Sequence, residues 1–167
     1  MENILVLGMG KVGSLVGVLL SKNFKVRAVD QKKPHYNYDL TFECVKGDVT
    51  NLKWLADEMA KHDAVVSALP YFLNKNIAQL AHDLRIHYFD LTEDVPTTQF
   101  IQSLQKTAKK ILAPQCGLAP GFIGIVGKDL CTPFDRLRDI ELRVGALPRY
   151  PNGQLAYSFT CSPYGVL

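Results

Sequence analysis

Residues 4–13 read ILVLGMGKVG, and this short stretch decides the fold. The four apolar residues at its start predict a strand buried on both faces, and a helical pattern follows its last glycine. Glycines spaced as GxGxxG between a strand and a helix predict a dinucleotide-binding turn. Gly8 would allow the tight turn, Gly10 would let a pyrophosphate approach the backbone, and Gly13 would let the helix pack closely on the strand.

The helix after the glycines carries apolar residues at helical spacing, and we expect that stripe to pack on the sheet. Its members are Val12, Leu15, Val16, Leu19 and Leu20.

Strand-like and helix-like segments then alternate as far as residue 113. This succession predicts an α/β protein with a doubly wound parallel Rossmann sheet over residues 1–120. After Pro120 a helix is predicted at 121–130, and strict alternation at 140–144 and 155–161 predicts two strands of an antiparallel sheet. We interpret residues 121–167 as the start of a second α/β domain, apparently truncated, in which two strands have too little apolar cover to stand alone.

Composition excludes several classes of function. The net charge is only +3, and no run of basic residues indicates a nucleic-acid or membrane surface. No apolar stretch approaches the ~20 residues of a membrane span, and the N-terminus does not resemble a signal peptide. The four cysteines form no CxxC pair, so we expect neither a metal site nor disulfides, and a cytoplasmic location.

Asp30 ends the predicted second strand, at the position where an acidic side chain accepts hydrogen bonds from the adenosine ribose. This favours NAD as the cofactor. NADP is the alternative, because Lys32 and Lys33 follow and could offset the repulsion between Asp30 and a 2′-phosphate.

Further cofactor contacts are predicted where the third and fourth strands end, because ligands of such sheets bind at the carboxyl ends of the strands. Asp48 could meet the adenine amino group or cap the following helix. The predicted cofactor-binding residues are Gly8, Gly10, Lys11, Val12, Gly13, Asp30, Gln31, Asp48, Val49, Ser67, Ala68, Leu69 and Pro70.

Four residues beyond strand ends are candidates for the chemistry. Tyr71 could donate a proton or orient a substrate, or it could pack against the helix that it begins. Glu93 and Asp94 could face a substrate, and Asp94 could equally cap the helix near Pro96. Cys116 could face the site, but a buried, inert thiol is the favoured interpretation.

Four longer segments resemble the saccharopine dehydrogenase (glutamate-forming) and lysine 6-dehydrogenase family. They are SALPYFLNKNIAQLA (67–81), HYFDLTED (87–94), PQCGLAPGF (114–122) and RVGALPRYP (143–151). The resemblance implies an NAD(P)-dependent oxidoreductase with a Rossmann domain and a second domain that carries much of the substrate pocket and the dimer contact. It further implies hydride transfer at a carbon–nitrogen bond of a small amino acid, through an imine, in a homodimer. On this basis the present chain alone should be inactive.

One alternative belongs to a different class. The GMGxVG helix, the acidic end of the second strand and the GDxT segment, all within residues 8–50, are also typical of nucleotide-sensing regulators of potassium transport proteins.

Overall fold

Six parallel strands form the sheet of this protein, in the order β3-β2-β1-β4-β5-β6. The computed structural model describes residues 1–32, 40–145, 149–150 and 154. The strands are β1 Asn3–Leu7, β2 Lys25–Asp30, β3 Glu43–Lys46, β4 Ala64–Ser67, β5 His87–Asp90 and β6 Leu112–Ala113. The predicted doubly wound parallel sheet is confirmed.

Four helices connect the strands and cover both faces of the sheet. They are α1 Lys11–Leu20, α2 Leu52–Met59, α3 Tyr71–Leu84 and α4 Val95–Gln105. Because successive side chains of a strand point to opposite faces, β1 supplies two cores. Leu5 and Leu7 belong to the cluster that includes residues of α2, α3 and α4, and Ile4 and Val6 belong to the other.

The register aligns the carboxyl ends of the central strands. Leu7 of β1 pairs with Ser67 of β4, and Ser67 pairs with Asp90 of β5. These three residues therefore end their strands in one row, at the edge of the sheet where the glycine turn begins. We call this edge the carboxyl rim.

The predicted apolar stripe of α1 is only partly buried: Val16 and Leu20 are half-buried, and Leu20 packs against the core. The buried residues of α1 are Gly13, Ser14 and Gly17, whereas Val12, Leu15 and Leu19 are 50%, 49% and 51% exposed. A Cβ atom on Gly17 would lie 2.5 Å from the ring of Phe42. Close approach to the sheet therefore selects small residues for the inner face, and three of the larger apolar side chains lie on the outer part of the helix.

The chain divides into two units, Met1–Cys116 and Gly117–Leu167. In the second unit the predicted helix is confirmed as α5, Phe122–Cys131, but none of its residues is buried. The strand predicted at 140–144 is wrong: these residues are exposed and pair with no strand in the described ranges. Alternating hydrophobicity does not make a strand without a hydrogen-bonded neighbour. The strand predicted at 155–161 lies outside the described residues.

Candidate cofactor site

The glycine turn joins β1 to α1, and two of its glycines, Gly8 and Gly13, have no room for a side chain. Gly8 has a φ of +89°, in the left-handed region that glycine tolerates without strain. Its N–H donates to the carbonyl oxygen of Val29 in β2 at 2.8 Å. A Cβ atom on Gly13 would lie 1.8 Å from the carbonyl oxygen of Gly8. Gly13 therefore lets the first turn of α1 rest directly on the end of β1.

The space beside Gly10 is open. Gly10 is exposed and occupies the N-cap of α1, and a Cβ atom placed on it would meet nothing within 4 Å. No side chain caps this helix, and the first backbone N–H groups of a helix lack intrahelical partners. Those donors and the positive end of the helix dipole favour an anion. The turn thus fits a pyrophosphate, with Lys11 and Val12 exposed beside it.

Asp30 holds the glycine turn against the end of β2. Its Oδ2 accepts the N–H of Met9 at 2.6 Å, and its Oδ1 accepts the N–H of Lys32 at 2.8 Å. A carboxylate has about four acceptor positions, so it can still accept ribose hydroxyls. The side chain nevertheless has a structural role at this turn that the sequence pattern did not reveal.

Asp48 lies close to Gln31. Gln31 donates through Nε2 to Asp48 Oδ1 at 3.3 Å, and Thr50 donates to the same oxygen through its backbone N–H and its hydroxyl at 2.9 and 2.7 Å. These two bonds from Thr50 lower the pKa of Asp48.

The interpretation of Asp48 as a helix cap is wrong, because α2 begins only at Leu52 and Asn51 is its N-cap. The side chain of Val49 belongs to the core, so only its backbone could contact a ligand.

The segment after β4 lies directly under the glycine turn. The N–H of Ala68 donates to the carbonyl oxygen of Leu7 at 2.8 Å, and a Cβ atom on Gly8 would lie 2.9 Å from Cδ2 of Leu69. Ser67 is buried and donates through Oγ to Oδ1 of Asn74 at 2.7 Å. Asn74 itself is buried in the first turn of α3.

Two predicted residues follow at the start of α3. Pro70 is the N-cap of this helix and is exposed. Tyr71 is 39% exposed, and its ring packs edge-on against that of Phe72 at 5.9 Å between centroids.

Asp90 is a buried carboxyl at the carboxyl rim, and the sequence analysis did not select it. Its side chain accepts the hydroxyl of Tyr88 at 2.6 Å and the N–H groups of Thr92 and Gln115 at 3.0 and 3.2 Å. Burial raises its pKa against the opposing effect of these bonds. One carboxyl thus ties together the segments that follow β5 and β6. An aspartate ending the strand HYFD was the available signal.

The other candidates for the chemistry, Glu93, Asp94 and Cys116, follow Asp90 in the sequence. Glu93 is exposed. Asp94 is the N-cap of α4 and accepts the N–H of Thr97 at 2.9 Å. Of the two roles predicted for Asp94, this contact supports helix capping.

Cys116 is exposed, so the expectation of a buried thiol is wrong. Its N–H donates to the carbonyl oxygen of Asp90 at 2.7 Å. Partial burial of the sulfur and the negative charge of Asp90 raise its pKa, which keeps the thiol protonated.

A sequence profile of the family described as "Saccharopine dehydrogenase NADP binding domain" matches residues 4–115. The chain belongs to this family. The match supports a nicotinamide dinucleotide as the ligand of the glycine turn, and it includes the segments at 67–81 and 87–94 that carry the resemblance.

Solved structures share the fold of this saccharopine dehydrogenase-type domain. Apo saccharopine dehydrogenase (L-Glu forming) from Saccharomyces cerevisiae superimposes with a TM-score of 0.74 at 21% identity, covering 99% of this chain and 40% of that one. The myo-inositol 2-dehydrogenase from Lactobacillus plantarum gives 0.54 at 17% identity, over 68% of this chain and 35% of that one. The chain thus spans about two fifths of the length of the yeast protein.

Two features are absent from the described ranges, a membrane-spanning helix and a cluster of metal ligands. No helix there has the length and apolar character needed to cross a membrane. The same residues contain no group of three or more histidine, cysteine or acidic side chains arranged to hold a metal ion.

Proposed function

We propose that this chain is the NADP-binding domain of an oxidoreductase that acts on a carbon–nitrogen bond of a saccharopine- or lysine-type amino acid. The observation that carries the proposal is the open N-terminus of α1 beside Gly10, in a chain whose family is described by NADP binding. The family match extends to residue 115, far beyond residues 8–50 on which the nucleotide-sensor alternative depends. This favours the enzyme.

The contacts of Asp30 change the cofactor preference that the sequence favoured. Both of its carboxylate oxygens accept backbone N–H groups, so an acidic residue is needed here to hold the turn, whichever cofactor binds. Lys32, two residues later, is exposed and offers a cation for a 2′-phosphate. Together with the family description, this supports NADP over NAD.

The chain's own residues would bind and orient the reactants. The dinucleotide supplies hydride exchange with the substrate carbon when it is bound. The glycine turn would hold the pyrophosphate, and the segment after β4 would lie beside the nicotinamide, because ligands of such sheets bind across the carboxyl ends of the central strands. Tyr71, exposed at the start of α3, is placed in this proposal as a proton donor to the substrate nitrogen.

Substituting Gly10 separates cofactor binding from folding. Gly10→Ala should weaken NADPH binding by about tenfold or more, because its methyl group occupies the space proposed for the pyrophosphate. The fold should be retained, since that space is empty of protein atoms and φ is −72°. Fluorescence titration with NADPH and with NADH measures both affinities, and thermal unfolding checks the fold.

Two variants serve as controls for that titration. Gly124→Ala adds a methyl group at another open position and should leave binding unchanged. Gly13→Ala should destabilise the domain itself, because its Cβ would collide with Gly8. Unaltered NADPH binding by a folded Gly10→Ala variant would contradict the proposed site, and tighter NADH binding by the unmutated chain would overturn the choice of NADP alone.

The substrate class is tested on the full-length protein. NADP-dependent turnover of saccharopine or lysine is expected, with no turnover by residues 1–167. If the full-length protein binds NADPH but oxidises neither amino acid, the binding site stands and the substrate class is wrong.

A further inference from the structure

A second cavity lies at the amino ends of the strands, on the opposite edge of the sheet from the glycine turn. Its volume is about 270 Å³, and its lining includes His62, Asp63, Arg85, His87 and Lys110. Asp63 immediately precedes β4, and His87 begins β5. Because all strands are parallel, this edge and the carboxyl rim are separated by the length of the strands. We call it the amino-rim cavity.

Positive charge predominates in this cavity. Arg85 and Lys110 are cationic, and within the described part of the chain neither forms a salt bridge. The single carboxylate, Asp63, already accepts the N–H groups of Glu2 and Asn3 through Oδ2 at 2.7 and 3.0 Å. Those bonds lower the pKa of Asp63. The backbone N–H dipoles also offset part of its negative charge. An anion entering the cavity would therefore meet two cations that form no salt bridge with a described residue.

The histidines add hydrogen-bonding capacity. Nδ1 of His87 accepts the N–H of Ile111 at 3.2 Å, which leaves Nε2 as the protonated ring nitrogen and hence a donor. His62 Nδ1 lies 2.9 Å from the carbonyl oxygen of Glu58. A carbonyl can only accept, so this nitrogen donates.

Arg85 occupies an unusual backbone position. It ends α3 with φ 57° and ψ 45°, a left-handed conformation in which glycine or asparagine is usual. A branched or long side chain there carries a conformational cost that glycine avoids. An arginine therefore lines the cavity at a position where the backbone alone would favour glycine.

We propose that the amino-rim cavity binds a small phosphate dianion, free or as the end of a phosphomonoester, at a site separate from the dinucleotide. Arginine forms bidentate hydrogen bonds to phosphate, and lysine adds a point charge. The volume lies just below the range of about 300–1,000 Å³ typical of pockets for larger ligands, so it suits a phosphate group and excludes a dinucleotide.

The test is a calorimetric titration of the chain with inorganic phosphate and with glycerol 3-phosphate, at constant ionic strength. Saturable binding of one phosphate is expected. Arg85→Gly should lower the affinity by about tenfold or more without unfolding the chain, since glycine suits the left-handed backbone. Lys110→Gln should lower it similarly, whereas Lys109→Gln, an exposed neighbour outside the lining, should not.

Gly10→Ala distinguishes this site from the glycine turn, which could also hold phosphate. Binding that survives Gly10→Ala and is lost in Arg85→Gly supports the proposal. Equal affinity for glycerol 3-phosphate indicates a phosphomonoester, and preference for inorganic phosphate indicates the free ion. Phosphate affinity that is unchanged in both Arg85→Gly and Lys110→Gln, or lost only in Gly10→Ala, overturns it.

Discussion

The side chains at the carboxyl rim differ in how many hydrogen bonds they form with neighbouring segments. Asp30 and Asp90 each accept two or more hydrogen bonds from neighbouring segments, so both organise the loops around the site. Tyr71 has a different environment, because it is exposed and contacts Phe72 only through the edge of its ring. Among the described residues, its hydroxyl has no hydrogen-bond partner.

Tyr71→Phe tests that role in the full-length enzyme. The substitution keeps the ring and removes only the hydroxyl, so loss of a positioned proton donor should lower kcat by roughly a hundredfold while NADPH affinity is unchanged. Steady-state kinetics and a cofactor titration measure the two effects. If kcat and KM both equal those of the unmutated enzyme, the role of Tyr71 is confined to packing against its neighbours.

Sequence patterns found the residues whose role is local and missed those whose role depends on strand register. The glycine spacing at 8–13 and the position of Asp30 are readable within one βαβ unit. Asp90 is not, because it accepts the N–H of Gln115, which lies 25 residues later and follows the neighbouring strand β6. Only the assembled sheet brings such groups together.

At the scale of elements, helix capping is the clearest stabilising contribution. Asp94→Ala should lower the free energy of unfolding by about 1 kcal/mol, because the N–H of Thr97 loses its acceptor. Asp94→Asn should retain most of this stability, since asparagine is also a good N-cap. Urea denaturation measures both, with the exposed Glu93→Ala as the matched control.

The same pair of variants distinguishes a cap from a catalytic carboxylate. A cap alone leaves activity of the full-length enzyme intact in Asp94→Asn. Strong loss of kcat in that stable variant would instead assign Asp94 to the chemistry, and unchanged stability of Asp94→Ala would exclude the cap.

Helix α1 shows why an apolar pattern predicts a helix better than it predicts the buried face. The periodicity located α1 correctly, yet the stripe through Val12, Leu15 and Leu19 is half exposed. A hydrophobic pattern assigns the inner face to the largest apolar side chains. Here close contacts at the inner face decide instead: the buried residues are Gly13, Ser14 and Gly17, because a Cβ atom on either glycine would collide with a neighbour.

At the scale of the whole domain, a buried ion pair joins the first half of the sheet to its covering helix. Glu58 of α2 is 4% exposed and lies 2.7 Å from Arg27 Nε in β2 and 2.7 Å from Lys61 Nζ. Burial alone would raise its pKa, but the hydrogen bond from Lys61 and the charges of Arg27 and Lys61 outweigh it, and the pKa is lowered.

Glu58→Gln should therefore destabilise the protein in a pH-dependent manner. A lowered pKa means that the stabilisation is present above the unfolded pKa of about 4.3 and is lost as the pH falls below it. At pH 7 the variant should lose about 1–3 kcal/mol. The difference should shrink below about pH 4.3, where Glu58 of the unfolded chain takes up a proton before Glu58 of the folded protein does.

Denaturation curves at pH 7, 5 and 4 measure this difference. Glu43→Gln is the control, because Glu43 pairs with the same arginine but is exposed, and its loss should cost less than about 1 kcal/mol. A Glu58→Gln effect that is constant with pH, or no larger than that of Glu43→Gln, would argue against the ion pair as its cause.

The strand order has a consequence for how the protein is synthesised. In β3-β2-β1-β4-β5-β6, each strand is added at a free edge of those already made, first on one side of β1 and then on the other. No strand has to be inserted between two existing neighbours. A ribosome releases the chain from its N-terminus, and domains can fold during synthesis. The half of the sheet that holds the glycine turn and Asp30 is complete at Lys46, so the nascent chain has both features of the proposed cofactor site before β4 is translated.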